Sequence, residues 1–337
     1  MTLALRPHAE ACGKIILLGE HSVVFGHPAL AAGLARGLVL RATPLENPRA
    51  PIQISVPRWG VDVELRVENE HPVARACLEV LTHCDGPVTG WRIEGEATIP
   101  SRAGLGSSAA LSVALARLAL PAAEGTAMPA MEDVVAASMV GERVFHGEPS
   151  GIDSEVAARG GVICFARDRG VEPIDLVEPL HLVVMPSGVP RHTGRLVAGV
   201  RARRDRFPTV IDPVLDALGA LVDDGRGALE RGQLSRLAGL TNIAHELLGA
   251  LGVSLPILDD LCAHALAHGA LAAKLTGAGG GGCAYALCAS ALDSERVVDG
   301  LREFTPRSPG PAPESPTFPD SSPDSSEPPA PPFAVEV

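Results

Sequence analysis

The stretch Ile99-Pro-Ser-Arg-Ala-Gly-Leu-Gly-Ser-Ser-Ala-Ala110 decides how this chain of 337 residues folds and works. Gly104 and Gly106 allow the backbone to approach a ligand closely, and the apolar residues that follow predict a buried helix. The first turn of such a helix directs free N–H groups and a positive dipole end toward an anion. A tight turn capped by a serine would look similar, but the complete pattern favours a phosphate-binding loop.

This loop is not a Walker A motif, because the sequence contains no Gly-x-x-x-x-Gly-Lys-Ser/Thr. A lysine that contacts the bound phosphates must therefore come from another segment. A candidate lies in Gly13-Lys-Ile-Ile-Leu-Leu-Gly-Glu-His-Ser-Val-Val-Phe-Gly26. Lys14 opens an apolar strand there, and Glu20 and His21 follow the end of that strand, where ligand-binding groups commonly gather. Taken alone, this segment is equally consistent with a surface lysine and a capping glutamate.

Two candidate acids lie in Gly141-Glu-Arg-Val-Phe-His-Gly-Glu-Pro-Ser-Gly-Ile-Asp153. Phosphoryl transfer needs a carboxylate for the metal and an acid near the attacking hydroxyl. Glu142 and Asp153 could fill these two roles. Acidic residues at helix ends are usually solvated, so this segment is informative only together with the phosphate loop and Lys14.

A second glycine-rich segment is Lys274-Leu-Thr-Gly-Ala-Gly-Gly-Gly-Gly-Cys283. It matches the dinucleotide pattern Gly-x-Gly-x-x-Gly formally, but a strand-like sequence follows it where that fold requires a helix. We therefore predict a glycine loop that closes over a ligand. Lys274 is one of only two lysines, against 26 arginines, and its presence here is as consistent with chance as with function.

Composition excludes several other classes of protein. The formal charge of −12 and the lack of a basic run argue against nucleic-acid binding. The N-terminal residues lack the apolar region of a signal peptide, and no apolar run approaches the roughly 20 residues of a membrane span. Seven cysteines without a Cys-x-x-Cys pair suit free thiols in the cytoplasm, and they disfavour structural zinc.

The periodicity of apolar residues predicts an alternation of strands and helices. We expect strands at 14–18, 33–42, 53–56, 61–67, 91–99, 162–165, 181–185, 272–276 and 283–288. We expect helices at 73–82, 108–120, 131–144, 193–206, 209–223, 232–251, 255–268 and 292–304. We predict an N-terminal domain over 1–179, a C-terminal domain over 180–304, and a disordered tail rich in proline and serine over 305–337.

In their order along the chain, these segments resemble the motifs of the GHMP kinase superfamily, over residues 11–304. The segments 13–26 and 141–153, together with Val189-Pro-Arg-His-Thr-Gly-Arg-Leu-Val-Ala-Gly-Val-Arg201, resemble the mevalonate kinase family within it. The resemblance implies an α+β fold of two domains. The N-terminal domain would be of the ribosomal protein S5 domain 2 type, and the C-terminal domain would be ferredoxin-like.

The resemblance also implies a role for each candidate residue. Asp153 and Lys14 would be catalytic, Ser108 and Glu142 would hold Mg²⁺, and mevalonate would lie among Glu20, His21, Arg191 and Thr193. The ATP-binding loop would consist of Arg102, Ala103, Gly104, Leu105, Gly106, Ser107 and Ser108. The second glycine loop would be formed by Thr276, Gly277, Ala278 and Gly279. The expected ligands are MgATP and mevalonate, in a cytoplasmic enzyme without a nucleic-acid or membrane partner, with a homodimer as a further prediction.

Three alternatives share the scaffold. The first is a kinase for phosphomevalonate, homoserine or a sugar, and the second is a diphosphomevalonate decarboxylase. The third is a binding protein without activity, which would have lost some of the lysine, serine, glutamate and aspartate that this chain keeps. Arg102 departs from the pattern, since it stands where members of the superfamily often carry glycine.

Overall fold

The computed structural model describes residues 4–191, 193–305 and 330–337. Its strands are β1 His8–Leu18, β2 Ala29–Pro44, β3 Ile52–Val56, β4 Val61–Leu65, β5 Trp91–Ala97, β6 Val162–Ala166, β7 Gly170–Ile174, β8 His181–Pro186, β9 Ala272–Thr276, β10 Cys283–Cys288 and β11 Phe333–Glu336. Its helices are α1 Pro72–His83, α2 Ser107–Ala119, α3 Met131–His146, α4 Ile152–Arg159, α5 Thr193–Arg206, α6 Pro208–Glu230, α7 Leu234–Ala250, α8 Pro256–Ala267 and α9 Ala291–Arg302. These elements confirm the α+β class.

The first sheet has seven strands in the order β4-β3-β5-β2-β6-β7, and β1 pairs with β2 beside this path. Only β3 and β5 run parallel; the other neighbouring strands of this sheet are antiparallel. Strand β2 has 16 residues, so it can pair with β1, β5 and β6 along its length. Of the 11 residues of β1, the last six are buried.

Helices α1 to α4 pack against this sheet and against one another. The predicted all-apolar helix is confirmed as α2, in which ten of 13 residues are buried. Its small side chains allow α3 to approach closely. A Cβ atom on Gly141 of α3 would lie 2.3 Å from Ser112 Oγ of α2. The glycine therefore lets the next residue, Glu142, lie beside the start of α2.

The second sheet is antiparallel, in the order β11-β8-β10-β9. One cluster of buried apolar side chains runs from Ile15 of β1 to Leu287 of β10 and on to helices α6, α7 and α8. The two sheets thus share a core along β1. The domain boundary near residue 179 stays a prediction.

The predicted disordered tail over 305–337 is wrong at its end. Residues 333–336 form β11, which pairs with β8 from Phe333 opposite Val184 to Glu336 opposite His181. Two backbone hydrogen bonds between Leu180 and Val337, of 2.9 and 3.0 Å, extend this pairing. Alternate side chains of the segment, Phe333, Val335 and Val337, pack against the core. The rest of the predicted tail, 306–329, lies outside the described residues.

A second strand, besides β11, has no counterpart in the sequence prediction. Residues Gly170–Ile174 form β7 at the edge of the first sheet, beside β6. Its Pro173 lacks an N–H donor, which is tolerated at a sheet edge but hides the strand from pattern analysis. Among the helices of the described ranges, none combines the length and apolar character that crossing a membrane requires.

Candidate active site

The site begins at Lys14, the seventh residue of β1. Its backbone N–H donates to the carbonyl oxygen of Leu105 at 2.8 Å, which attaches the strand to the glycine loop. Its ammonium lies 3.0 Å from Asp153 Oδ1, with the Lys14 side chain 5% exposed and that of Asp153 31% exposed. Asp153 lies in the first turn of α4. The two predicted catalytic residues therefore meet, although 138 residues of sequence separate them.

The predicted phosphate loop leads from β5 into α2. Gly104 and Gly106 have φ values of +82° and +75°, in the left-handed region that favours glycine. Gly106 immediately precedes α2, and a Cβ atom there would lie 3.3 Å from Lys14 Cβ. The free N–H groups at the start of α2, at Ser107 and Ser108, thus lie next to Lys14.

Arg102 is exposed and also adopts a left-handed backbone, with φ +59°. A left-handed backbone is costly for a residue with a Cβ atom, so the conformation of this position favours glycine. The next residue, Ala103, is half-buried, whereas Leu105 is fully buried and contributes to the core. The loop is therefore fixed at Leu105 and open to solvent at Arg102.

The second predicted acid, Glu142, is 2% exposed. Burial and the nearby charge of Asp153 raise the pKa of Glu142 to about 7, while the Ser108 hydroxyl and Lys14 oppose that shift. Its Oε1 atom is buried without a hydrogen-bond partner among the described residues. A buried carboxylate oxygen without a donor is costly, which makes this oxygen a candidate ligand for a cation.

Sequence analysis did not anticipate His146. Its Nε2 atom lies 3.3 Å from Ser108 Oγ and 3.9 Å from Glu142 Oε2. Burial lowers the pKa of His146. The spacing of four residues between Glu142 and His146 on one helix was the available signal, since such residues share a helix face.

The Arg191 side chain lies between the two glycine loops. Its Nη1 donates to the carbonyl oxygen of Thr276 at 3.2 Å. A Cβ atom on Gly104 would lie 2.0 Å from Arg191 Cζ, and one on Gly277 would lie 2.2 Å from Nη1. The guanidinium therefore occupies space that only glycine leaves free. Thr193, also predicted to contact substrate, is exposed at the start of α5.

Glu20 and His21 follow β1 in a sharp bend. The Glu20 carboxylate accepts a hydrogen bond from the buried ammonium of Lys274. The sequence alone left open whether Lys274 has a function. His21 has φ +62°, and its Nε2 atom lies 2.9 Å from the carbonyl oxygen of Ala278. Burial lowers the pKa of His21, and the charge of Arg191 acts in the same direction.

The second glycine loop attaches to β1 as well as to Arg191. Thr276 Oγ1 accepts from the backbone N–H of Ile16 at 2.9 Å and donates to its carbonyl oxygen at 3.0 Å. A Cβ atom on Gly279 would lie 2.2 Å from the carbonyl oxygen of Val253, so the backbone can pass there only as glycine. A strand follows this loop, as predicted, so this segment does not have the strand–glycine–helix order of a dinucleotide site.

Trp59 supports the phosphate loop from a distant part of the chain. Its Nε1 donates to the carbonyl oxygen of Ile99 at 2.8 Å, directly before the loop begins. No sequence signal indicated this contact, because the two residues are 40 positions apart and α1 and β5 lie between them.

Comparison with known proteins agrees with this geometry. A family model described as GHMP kinases N terminal domain matches residues 71–161, and one described as GHMP kinases C terminal matches residues 226–307. The first match includes the phosphate loop and both acids, and the second includes the second glycine loop. The predicted resemblance to the GHMP kinases is confirmed.

Individual relatives identify the family within the GHMP kinases to which the chain is similar. The mevalonate kinase of Pyrococcus furiosus is 36% identical over 298 residues, covering 83% of this chain and 88% of the relative. That of Thermococcus sibiricus is 37% identical over 301 residues, covering 84% and 89%. The crystal structure of L. major mevalonate kinase in complex with R-mevalonate matches with a TM-score of 0.77 at 30% identity, covering 90% of this chain and 93% of that one. The chain therefore belongs to the mevalonate kinases, a family of ATP-dependent small-molecule kinases with the GHMP fold.

Proposed function

We propose that this chain transfers the γ-phosphoryl group of ATP to the primary hydroxyl of mevalonate, giving 5-phosphomevalonate for isoprenoid synthesis. The observation that carries the proposal is the ion pair of Lys14 and Asp153, 3.0 Å apart beside the glycine loop. A cation next to the transferring phosphoryl and a carboxylate next to the attacking hydroxyl are what this reaction requires. Membership of the mevalonate kinase family supports the choice of acceptor.

Within this proposal, the loop from Arg102 to Ser108 binds the phosphates through backbone N–H groups and the two serine hydroxyls. Lys14 neutralises charge that develops on the transferred group, and its burial strengthens that effect. Asp153 either accepts the proton of the attacking hydroxyl or holds that hydroxyl in line; a loose transition state demands little basicity. Most of the rate enhancement then comes from positioning and charge.

The available oxygen atoms fit Mg²⁺. A magnesium ion prefers oxygen ligands and is usually held by one or two carboxylates together with substrate phosphates and water. Glu142 Oε1 is buried without a partner, and the Ser108 hydroxyl adjoins the same carboxylate. Across the described residues, no group of three or more His, Cys, Asp or Glu side chains could hold a metal by itself. We therefore infer that Glu142 and Ser108 would hold Mg²⁺ against the β- and γ-phosphates, whose charge it would neutralise.

Arg191 is the candidate partner for the carboxylate of mevalonate. Burial lowers the pKa of Arg191, and the charges of Asp153 and Glu20 oppose that shift. A planar guanidinium can bind a carboxylate through two parallel hydrogen bonds, which also orients the acceptor. His21 and Thr193 complete this acceptor side in the proposal. The cytoplasmic location and the homodimer remain predictions.

The proposal is tested by a coupled assay of ADP release with mevalonate, phosphomevalonate, homoserine and galactose as acceptors. We expect release with mevalonate that depends on Mg²⁺, and little with the other three. Activity on homoserine or galactose without activity on mevalonate would refute the proposal. Release of carbon dioxide from diphosphomevalonate would indicate the decarboxylase instead.

A further inference from the structure

Lys274 is a fully buried cation that the proposed chemistry does not use. It lies on β9, all five residues of which are buried, and its own side chain is 0% exposed. Its ammonium donates to the Glu20 carboxylate and, at 2.7 Å, to the carbonyl oxygen of Leu275. It also lies 5.4 Å from the centre of the Tyr285 ring, within the range of a cation–π contact. All these groups are buried in the contact between the two sheets.

Stability alone does not account for a buried ion pair. Removing both charges from water costs several kcal/mol per ion, and apolar residues of similar volume often stabilise a protein as well or better. Lysine and arginine are not interchangeable at such a site, because a guanidinium presents its donors in a rigid planar fork whereas an ammonium is a compact point charge. The pair is therefore better explained by the geometry that it imposes than by the energy that it contributes.

The pair constrains the bend after β1. Gly19 and His21 both have positive φ values, +97° and +62°, so Glu20 lies between two left-handed residues. Two neighbouring side chains of the bend contact β9 and the loop after it, since Glu20 bonds Lys274 and His21 lies 2.9 Å from the carbonyl oxygen of Ala278. The non-glycine residue His21 is strained in this conformation, so the bend needs contacts that hold it.

The same segment also holds Arg191. Thr276 receives the Arg191 guanidinium at its carbonyl oxygen and bonds Ile16 of β1 through its hydroxyl. A shift of β9 relative to β1 would therefore move His21 and Arg191 together, and both belong to the proposed acceptor side.

We propose that Lys274 is a positioning residue for the acceptor, because its buried bond to Glu20 fixes the bend at Gly19–His21 against the loop that holds Arg191. This inference rests on the proposed function for the identity of the acceptor. Glu20 then acts through the backbone rather than by contacting mevalonate.

The test compares two substitutions of the pair by steady-state kinetics. Lys274→Met with Glu20→Leu removes both charges, so the protein should fold, but the bend loses its anchor. We expect the KM for the acceptor to rise by about ten- to a hundredfold, with the KM for MgATP changed by less than about twofold. Glu20→Gln alone keeps an oxygen that accepts from Lys274 but leaves the buried ammonium without a counter-charge, so its melting temperature should fall. Because the oxygen still anchors the bend, its acceptor KM should stay within about threefold of wild type.

Tyr285→Phe is the matched control. It removes the hydrogen bond from the Tyr285 hydroxyl to the carbonyl oxygen of Leu17, 3.0 Å long, in the same contact between the sheets. We expect a lower melting temperature and an unchanged acceptor KM.

Three results would overturn the inference. A wild-type acceptor KM in the double variant would make the pair purely structural. A loss in Glu20→Gln as large as in the double variant would make Glu20 a direct ligand. A raised acceptor KM in Tyr285→Phe would make the effect a general one of the interface. Wild-type protein is first assayed on all four acceptors, and the variants are then assayed on the one it uses, so that an error in the proposed function is detected separately.

Discussion

Lys14 Nζ and Asp153 Oδ1 lie 3.0 Å apart, with the lysine side chain almost fully buried and the aspartate one-third exposed. The pair is thus open to solvent only on the side of the carboxylate. An alcohol that enters the site meets Asp153 first, and Lys14 lies behind it next to the glycine loop.

Asp153→Asn should lower kcat by orders of magnitude, because the amide can neither accept the hydroxyl proton nor supply negative charge. The fold should persist, since Asp153 is partly exposed. The measurement is ADP release together with a thermal melt. Glu155→Gln is the matched control, because Glu155 lies on the same helix and pairs with Arg159 outside the proposed site. Near-normal turnover in Asp153→Asn would remove the assigned role.

Glu142→Gln should raise the Mg²⁺ concentration that gives half-maximal activity, since it replaces a charged oxygen ligand with a neutral one. The measurement is a titration of Mg²⁺ at fixed ATP. Glu148→Gln serves as the control, because Glu148 is exposed in the turn that follows the same helix. Equal Mg²⁺ requirements in the two variants would contradict the proposed metal ligand.

Gly104→Ala should displace Arg191, whose Cζ atom would lie 2.0 Å from the new Cβ atom. We expect the acceptor KM to rise by about tenfold. Gly125→Ala is a control with a similar backbone cost, since Gly125 has φ +75° and a Cβ atom there would meet nothing within 4 Å. A rise confined to the KM for MgATP would show that the methyl group disturbs only the phosphate loop.

Replacing the inward-facing Phe333 and Val335 of β11 by serine should lower the melting temperature by about 3–6 °C, because half-buried apolar surface is lost. Replacing Ala334 and Glu336, which are exposed on the other face, should have a smaller effect. Equal melting temperatures for the two double variants would show that β11 does not pack in solution as described.

Local patterns were sufficient to predict most of the fold. The helices and strands follow from periodicities within short windows, and the glycine loops are visible because they need glycine at fixed positions. Strand β11 was missed because five residues after a long segment of proline and serine carry too little pattern. Its pairing with β8 depends on an edge that the sequence does not mark.

The site was predictable where the chemistry restricts the residue types. Lys14, Ser108, Glu142 and Asp153 were identified in this way, and the structure brings them together, although their individual roles remain predictions. The bond between Lys274 and Glu20 was not predictable, since it joins residues 254 positions apart through the packing of two sheets.

The shortage of lysine has a practical consequence for covalent chemistry. The chain carries two side-chain amines among its 28 basic side chains, and both are buried. Reagents that acylate amines will therefore find almost no target on the folded surface apart from the α-amino group. Lys14 is 5% exposed and adjoins the partly exposed Asp153, so the rate of its acylation should report how open the structure is at this pair. A nucleotide bound at the adjoining glycine loop should protect this one lysine from acylation.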